Sequence, residues 1–148
     1  MARHYLILVA LEHTPDLAGV RTVLDRWGLA PSETDPLLHA PDGRLPVLGG
    51  EATAIETSWL GAGATSVYLQ VHGIAATEEQ CRLIFELATA GRLILGVEPG
   101  PPHLVVCGGT HEAETVIDDT RPPELETVCF VDTWEQLHRA LNGTDGVV

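Results

Sequence analysis

The sequence predicts a mixed α+β fold, and three observations carry that expectation. Short apolar runs rich in β-branched residues alternate with segments whose apolar residues recur every three or four positions. Two pairs of strand-like runs are separated by Gly- or Pro-rich turns, the mark of hairpins. With 45% apolar and 20% charged residues over 148 positions, the composition is that of one globular domain.

The elements follow in order. His4 to Leu11 is continuously apolar, which reads as a strand buried on both faces. Thr14-Pro15 then reads as an N-cap with proline in the first helical turn. Leu17, Val20, Leu24 and Trp27 fall on one helical face, and Gly28 ends that helix. Residues 29–50 hold several prolines and glycines without periodicity, so a long loop is expected. Leu45 to Leu48 would be a short edge strand within it, because Pro46 cannot donate to a ladder.

A hairpin follows: Thr53 to Leu60, the turn Gly61-Ala-Gly-Ala64, then Thr65 to His72. In its second strand Val67, Leu69 and Val71 face one way, and Ser66, Tyr68, Gln70 and His72 the other. Thr77-Glu-Glu-Gln80 is a capping box opening a helix with Cys81, Ile84, Phe85 and Ala88 inward and Gly91 at its end. Arg92 to Val97 and His103 to Cys107 form a second hairpin about a Pro-Gly-Pro turn. Residues 108–126 make an acidic loop. Thr127 to Val131 is a strand, and Asp132 or Thr133 caps a last helix, Trp134 to Leu141, with Leu137 and Leu141 inward. The order β-α-β-β-α-β matches a ferredoxin-like split βαβ plan with an added C-terminal strand and helix. The expected core is Leu6, Leu8, Leu24, Val67, Leu69, Val71, Ile84, Phe85, Val105 and Leu137.

Charge narrows the function classes. There are 21 Asp and Glu against 8 Arg and no Lys, a net charge of −13. Such a surface repels nucleic-acid phosphates and anionic membranes and attracts basic proteins. No apolar stretch reaches the ~18 residues of a membrane span, and the run Tyr5 to Leu11 is too short for a signal-peptide core with its cleavage site. Three widely spaced cysteines, Cys81, Cys107 and Cys129, form neither a disulfide framework nor a CxxC pair. A reducing cytoplasm is expected, and the arginine-rich, lysine-free composition suits a GC-rich bacterial genome.

Chemistry has few footholds. In Leu104-Val-Val-Cys107-Gly-Gly-Thr-His111, a thiol at a strand end precedes glycines and a histidine, so Cys107 and His111 are a nucleophile and its activator on paper. The favoured reading is a buried structural cysteine before a glycine turn. The stretch resembles the nucleophile strand of isochorismatase-like cysteine hydrolases, but that family needs a catalytic lysine that this chain lacks. Cys107, His111, Glu112 and Glu114 have metal-ligand types at a spacing that matches no compact signature, so no metal is expected. Gly61 to Ser66 suggests a phosphate loop, yet a strand rather than a helix follows it. His72 and Tyr68, with Glu56 on the partner strand, are placed to line a polar patch offering a general base.

The densest charge is the segment Glu112, Glu114, Asp118, Asp119, Glu124 and Glu126, opposed only by Arg121. It reads as a docking strip for a basic protein. The expectation is a non-enzymatic acidic binding protein, an inhibitor or immunity-type protein masking a basic partner, without cofactor and with a homodimer left open. The alternative is a small-ligand domain or compact enzyme that uses His72, Tyr68 and Glu56, or the Cys107–His111 loop.

Overall fold

In the computed structural model, residues 5–9, 16–31, 37–57, 68–72, 75–98, 104–107 and 128–142 are described. They form strands β1 (Tyr5–Val9), β2 (Ala30–Pro31), β3 (Leu38–His39), β4 (Val47–Leu48), β5 (Glu51–Ala52), β6 (Ala54–Thr57), β7 (Tyr68–His72), β8 (Ile94–Glu98), β9 (Leu104–Cys107) and β10 (Val128–Val131). The helices are α1 (Leu17–Arg26), α2 (Glu78–Gly91) and α3 (Trp134–Asn142). The fold is mixed α+β.

A six-stranded sheet in the order β10-β9-β8-β1-β7-β6 organises the molecule. Every neighbouring pair is antiparallel except β9 and β10, which run parallel. The register sets Leu6 against Val71 and Val97, Leu8 against Leu69 and Leu95, and Ile55 against Val71. Because side chains alternate along a strand, these in-register residues share one face. That face is the floor of the core. Together with Val105, Cys107 and Val131 it packs against Val20, Val23 and Leu24 of α1, Ile84 and Leu87 of α2, and Leu137 and Leu141 of α3.

Ile7 departs from the sequence expectation. It is partly buried while Leu6 and Leu8 are fully buried. The face of the sheet that Ile7 shares is itself closed further along, where Ile94 and Val106 are 2% exposed. Both predicted hairpins pair antiparallel, β6 with β7 and β8 with β9. Beyond them the sheet gains β10 as a parallel neighbour of β9. Two strands thus extend the β8-β1-β7-β6 set; the sequence located both, but the split βαβ plan with one added strand counted only one of them.

Helix α1 starts two residues later than Thr14-Pro15 implied. Its N-cap is Asp16, whose carboxylate accepts from the Gly19 amide at 2.9 Å; Thr14 and Pro15 lie outside the described residues. At its other end Gly28 takes φ +72°, the Gly28 amide donates to the Asp25 carbonyl and the Leu29 amide to the Leu24 carbonyl. This closes the helix in a Schellman turn with Leu24 and Leu29 both buried.

The capping box of α2 is complete. The Gln80 amide donates to Thr77 Oγ1 at 3.2 Å, and the Thr77 amide donates to Gln80 Oε1 at 3.0 Å. Leu83 and Leu87 are buried as well as the expected Cys81, Ile84 and Ala88, while Phe85 is only partly buried. The broader buried stripe arises because α1 and α3 both pack on α2 above the sheet. After Gly91, Arg92 takes the left-handed conformation at φ +57° and closes the helix, so β8 begins at Ile94 rather than at Arg92. Thr133 caps α3 by accepting from the Gln136 amide at 3.2 Å.

Segment 29–50 is mostly irregular but carries two small ribbons, β2 with β3 and β4 with β5. Gly49 and Gly50, at φ +63° and +82°, make the two-residue turn between β4 and β5. Positive φ at both central positions is what a type I′ turn demands. Among the described residues, no helix is long and apolar enough to cross a membrane.

Candidate functional site

The outer face of the sheet, opposite the helices, holds the side chains of Glu56 and His72, two of the three residues that sequence reasoning grouped as a polar patch. Alternation along β7 sends Leu69 and Val71 into the core and leaves Gln70 half-buried and His72 exposed. On β6, Ile55 points inward and Glu56 outward. The register pairs Ala54 with His72 and Glu56 with Gln70, so Glu56 and His72 are diagonal neighbours across the two strands.

His72 Nε2 lies 3.7 Å from Glu56 Oε1, with the side chains 42% and 39% exposed. That spacing suits an ion pair when the imidazole is protonated, and it is too long for a hydrogen bond. A half-exposed pair of this kind is worth roughly 0–1 kcal/mol. Chemically it offers a water-accessible imidazole beside a carboxylate. Tyr68 belongs to the same strand, opposite Val9 on β1.

The second predicted grouping comes apart. Cys107 ends β9 on the core side with only 2% exposure. Burial first, and the nearby Cys129 and Cys81 thiols next, push its thiol up to about 12. A nucleophilic cysteine must reach the thiolate and meet solvent or substrate; Cys107 as placed does neither. Cys81 on α2 is likewise pushed up to about 12 by burial. All three cysteines are free thiols. Among the described residues, no three His, Cys, Asp or Glu side chains converge to hold a metal ion. His111 and the six acidic residues Glu112, Glu114, Asp118, Asp119, Glu124 and Glu126 lie outside the described residues, as does the Gly61–Ser66 turn.

Sequence reasoning missed two polar clusters. Glu86 on α2 accepts from Arg26 Nη2 at 2.6 Å and from the Trp27 indole at 2.5 Å, tying the end of α1 to the middle of α2. Gln80, 2% exposed, donates to Thr53 Oγ1 at 2.9 Å, and Thr77 Oγ1 donates to the Leu48 carbonyl at 3.1 Å. These bonds fasten the β4–β5 ribbon to the start of α2. The capping box was the available signal for Gln80, but its third partner lies 27 residues away. Both clusters serve the framework. Asp16, Asp25, Glu51, Glu78, Glu98 and Glu135 are exposed, as are Arg21, Arg26, Arg44, Arg82, Arg92 and Arg139.

No protein-family model, curated protein or solved structure matches this chain.

Proposed function

We propose that this chain is a non-enzymatic binding protein, of inhibitor or immunity type, whose acidic surface masks a basic protein partner. The observation that carries the reading is the charge: 21 carboxylates against 8 arginines and no lysine, a net −13. Exposed carboxylates on helices, turns and strands contribute to that field on the described surface. A field of one sign steers an oppositely charged protein into encounter and raises its association rate. The segment 112–126 concentrates the charge further and is the docking strip in this reading. The three free thiols suit a reducing bacterial cytoplasm.

The scaffold we propose is the ferredoxin-like split βαβ plan, extended by β9, β10 and α3. Its support is the antiparallel order β8-β1-β7-β6. The chain passes from β1 through α1 to β6, with β7 lying between the two strands. It passes from β7 through α2 to β8, with β1 between them. Each helical connection therefore straddles one strand, as that plan requires.

A second reading, a small-ligand domain or compact enzyme on the outer sheet face, draws on the approach of His72 to Glu56. Their exposure weighs against it, because small-molecule sites are concave and enclose most of the ligand's surface. The buried, protonated Cys107 weighs against a thiol nucleophile as well.

The test is capture on the immobilised protein from extract of its native host at low and high salt. One basic protein should be recovered and lost as ionic strength rises, since the Debye length falls to about 8 Å near 0.15 M salt. With that protein purified, charge reversal at Glu112, Glu114, Asp118 and Asp119 should slow association more than it speeds dissociation. Recovery of no basic protein, or capture indifferent to salt, defeats the proposal.

A further inference from the structure

No further inference is drawn: the strongest candidate, the outer face of the sheet around Ile7, Gly96, Glu56 and Glu98, carries nothing because no described residue shows what covers it.

Discussion

Gly19 sits where α1 meets the end of α2, and its replacement by alanine tests the helix packing directly. A Cβ built on Gly19 lies 2.2 Å from the Ala90 carbonyl oxygen and 2.9 Å from its carbon. Contacts under 3.0 Å do not persist, so the two helices must part by at least the difference, about 0.8 Å. The atom in the way is backbone and cannot swing aside as a side chain would. The Asp16 amide donates to the Gly91 carbonyl at 2.9 Å, so parting the helices also stretches this bond. Forcing a methyl into such a contact typically costs about 1–3 kcal/mol. Opposing it, alanine is favoured over glycine in a helix by at most about 1 kcal/mol. Because the obstacle is backbone, the upper part of that range, about 2–3 kcal/mol, applies, leaving a net loss of about 1–2 kcal/mol. At this chain length that is a fall in melting temperature of roughly 2–8 °C, at about 2–4 °C per kcal/mol. Urea unfolding should show the same loss as a lower midpoint with an unchanged slope. Gly96→Ala is the control: its Cβ would lie 4.0 Å from the nearest atoms, Ile7 Cβ and O, so it should be neutral or mildly stabilising. A Gly19→Ala protein as stable as the parent would refute the close helix approach.

Other consequences can be checked alongside. With native protein at pH 8, a thiol reagent such as Ellman's should label the half-buried Cys129 first; equal rates at all three thiols would contradict the burial of Cys81 and Cys107. Those two thiols rise from an ordinary 9.0 to about 12 on folding, so the native state holds their protons more tightly. The associated stability is complete below pH 9 and declines between pH 9 and 12, by about 1.4 kcal/mol per thiol per pH unit. Cys107→Ala should flatten that decline in urea midpoints measured across the window, and parallel profiles would oppose it. Glu86→Ala should cost about 1–2 kcal/mol and shift Trp27 fluorescence to the red, because it removes the indole's acceptor. Glu86→Gln, which keeps an acceptor, should cost less. Gly49→Ala should destabilise more than Gly50→Ala, because its Cβ would lie 2.6 Å from Thr77 Cβ and Oγ1, whereas nothing lies within 4 Å at Gly50; the reverse order in thermal melts would refute the β4–β5 turn packing.

Local rules were legible wherever one short stretch contains both partners of an interaction. Thr77 and Gln80 announce their capping box because three residues span it. Leu69, Val71 and His72 reveal their faces through strand alternation. Gly28 reveals the end of α1, because only a residue at ease with positive φ fits there. What escaped depends on neighbours remote in sequence. Leu83 and Leu87 are buried because α1 and α3, both remote in sequence, pack on α2. Glu86 finds its donors 59 and 60 residues back. For the candidate sites, the approach of Glu56 to His72 followed from the predicted hairpin register. The burial of Cys107 was also the favoured reading of a free cysteine at a strand end, but its neighbours Cys81 and Cys129 come from α2 and β10 and were not foreseen. The acidic strip stands on composition alone.

The start of α2 has a consequence for how the chain reaches its native state. Two remote segments meet there: the β4–β5 ribbon, through Leu48 and the adjoining Thr53, and α3, through Asn142, whose Nδ2 donates to the Ala76 carbonyl across 66 residues. Ala76 itself takes φ +59°, a conformation that a non-glycine residue holds only when its surroundings impose it. The loops these contacts close are long, so their entropy must be lost before any of the bonds is gained. Amides at this junction should therefore acquire protection late in refolding, after α1 and the β6–β7 hairpin. In the native protein they should exchange only through openings that release α3 from α2. A chain shortened before Trp134 would free Ala76 to leave its left-handed conformation, and the first turn of α2 would fray.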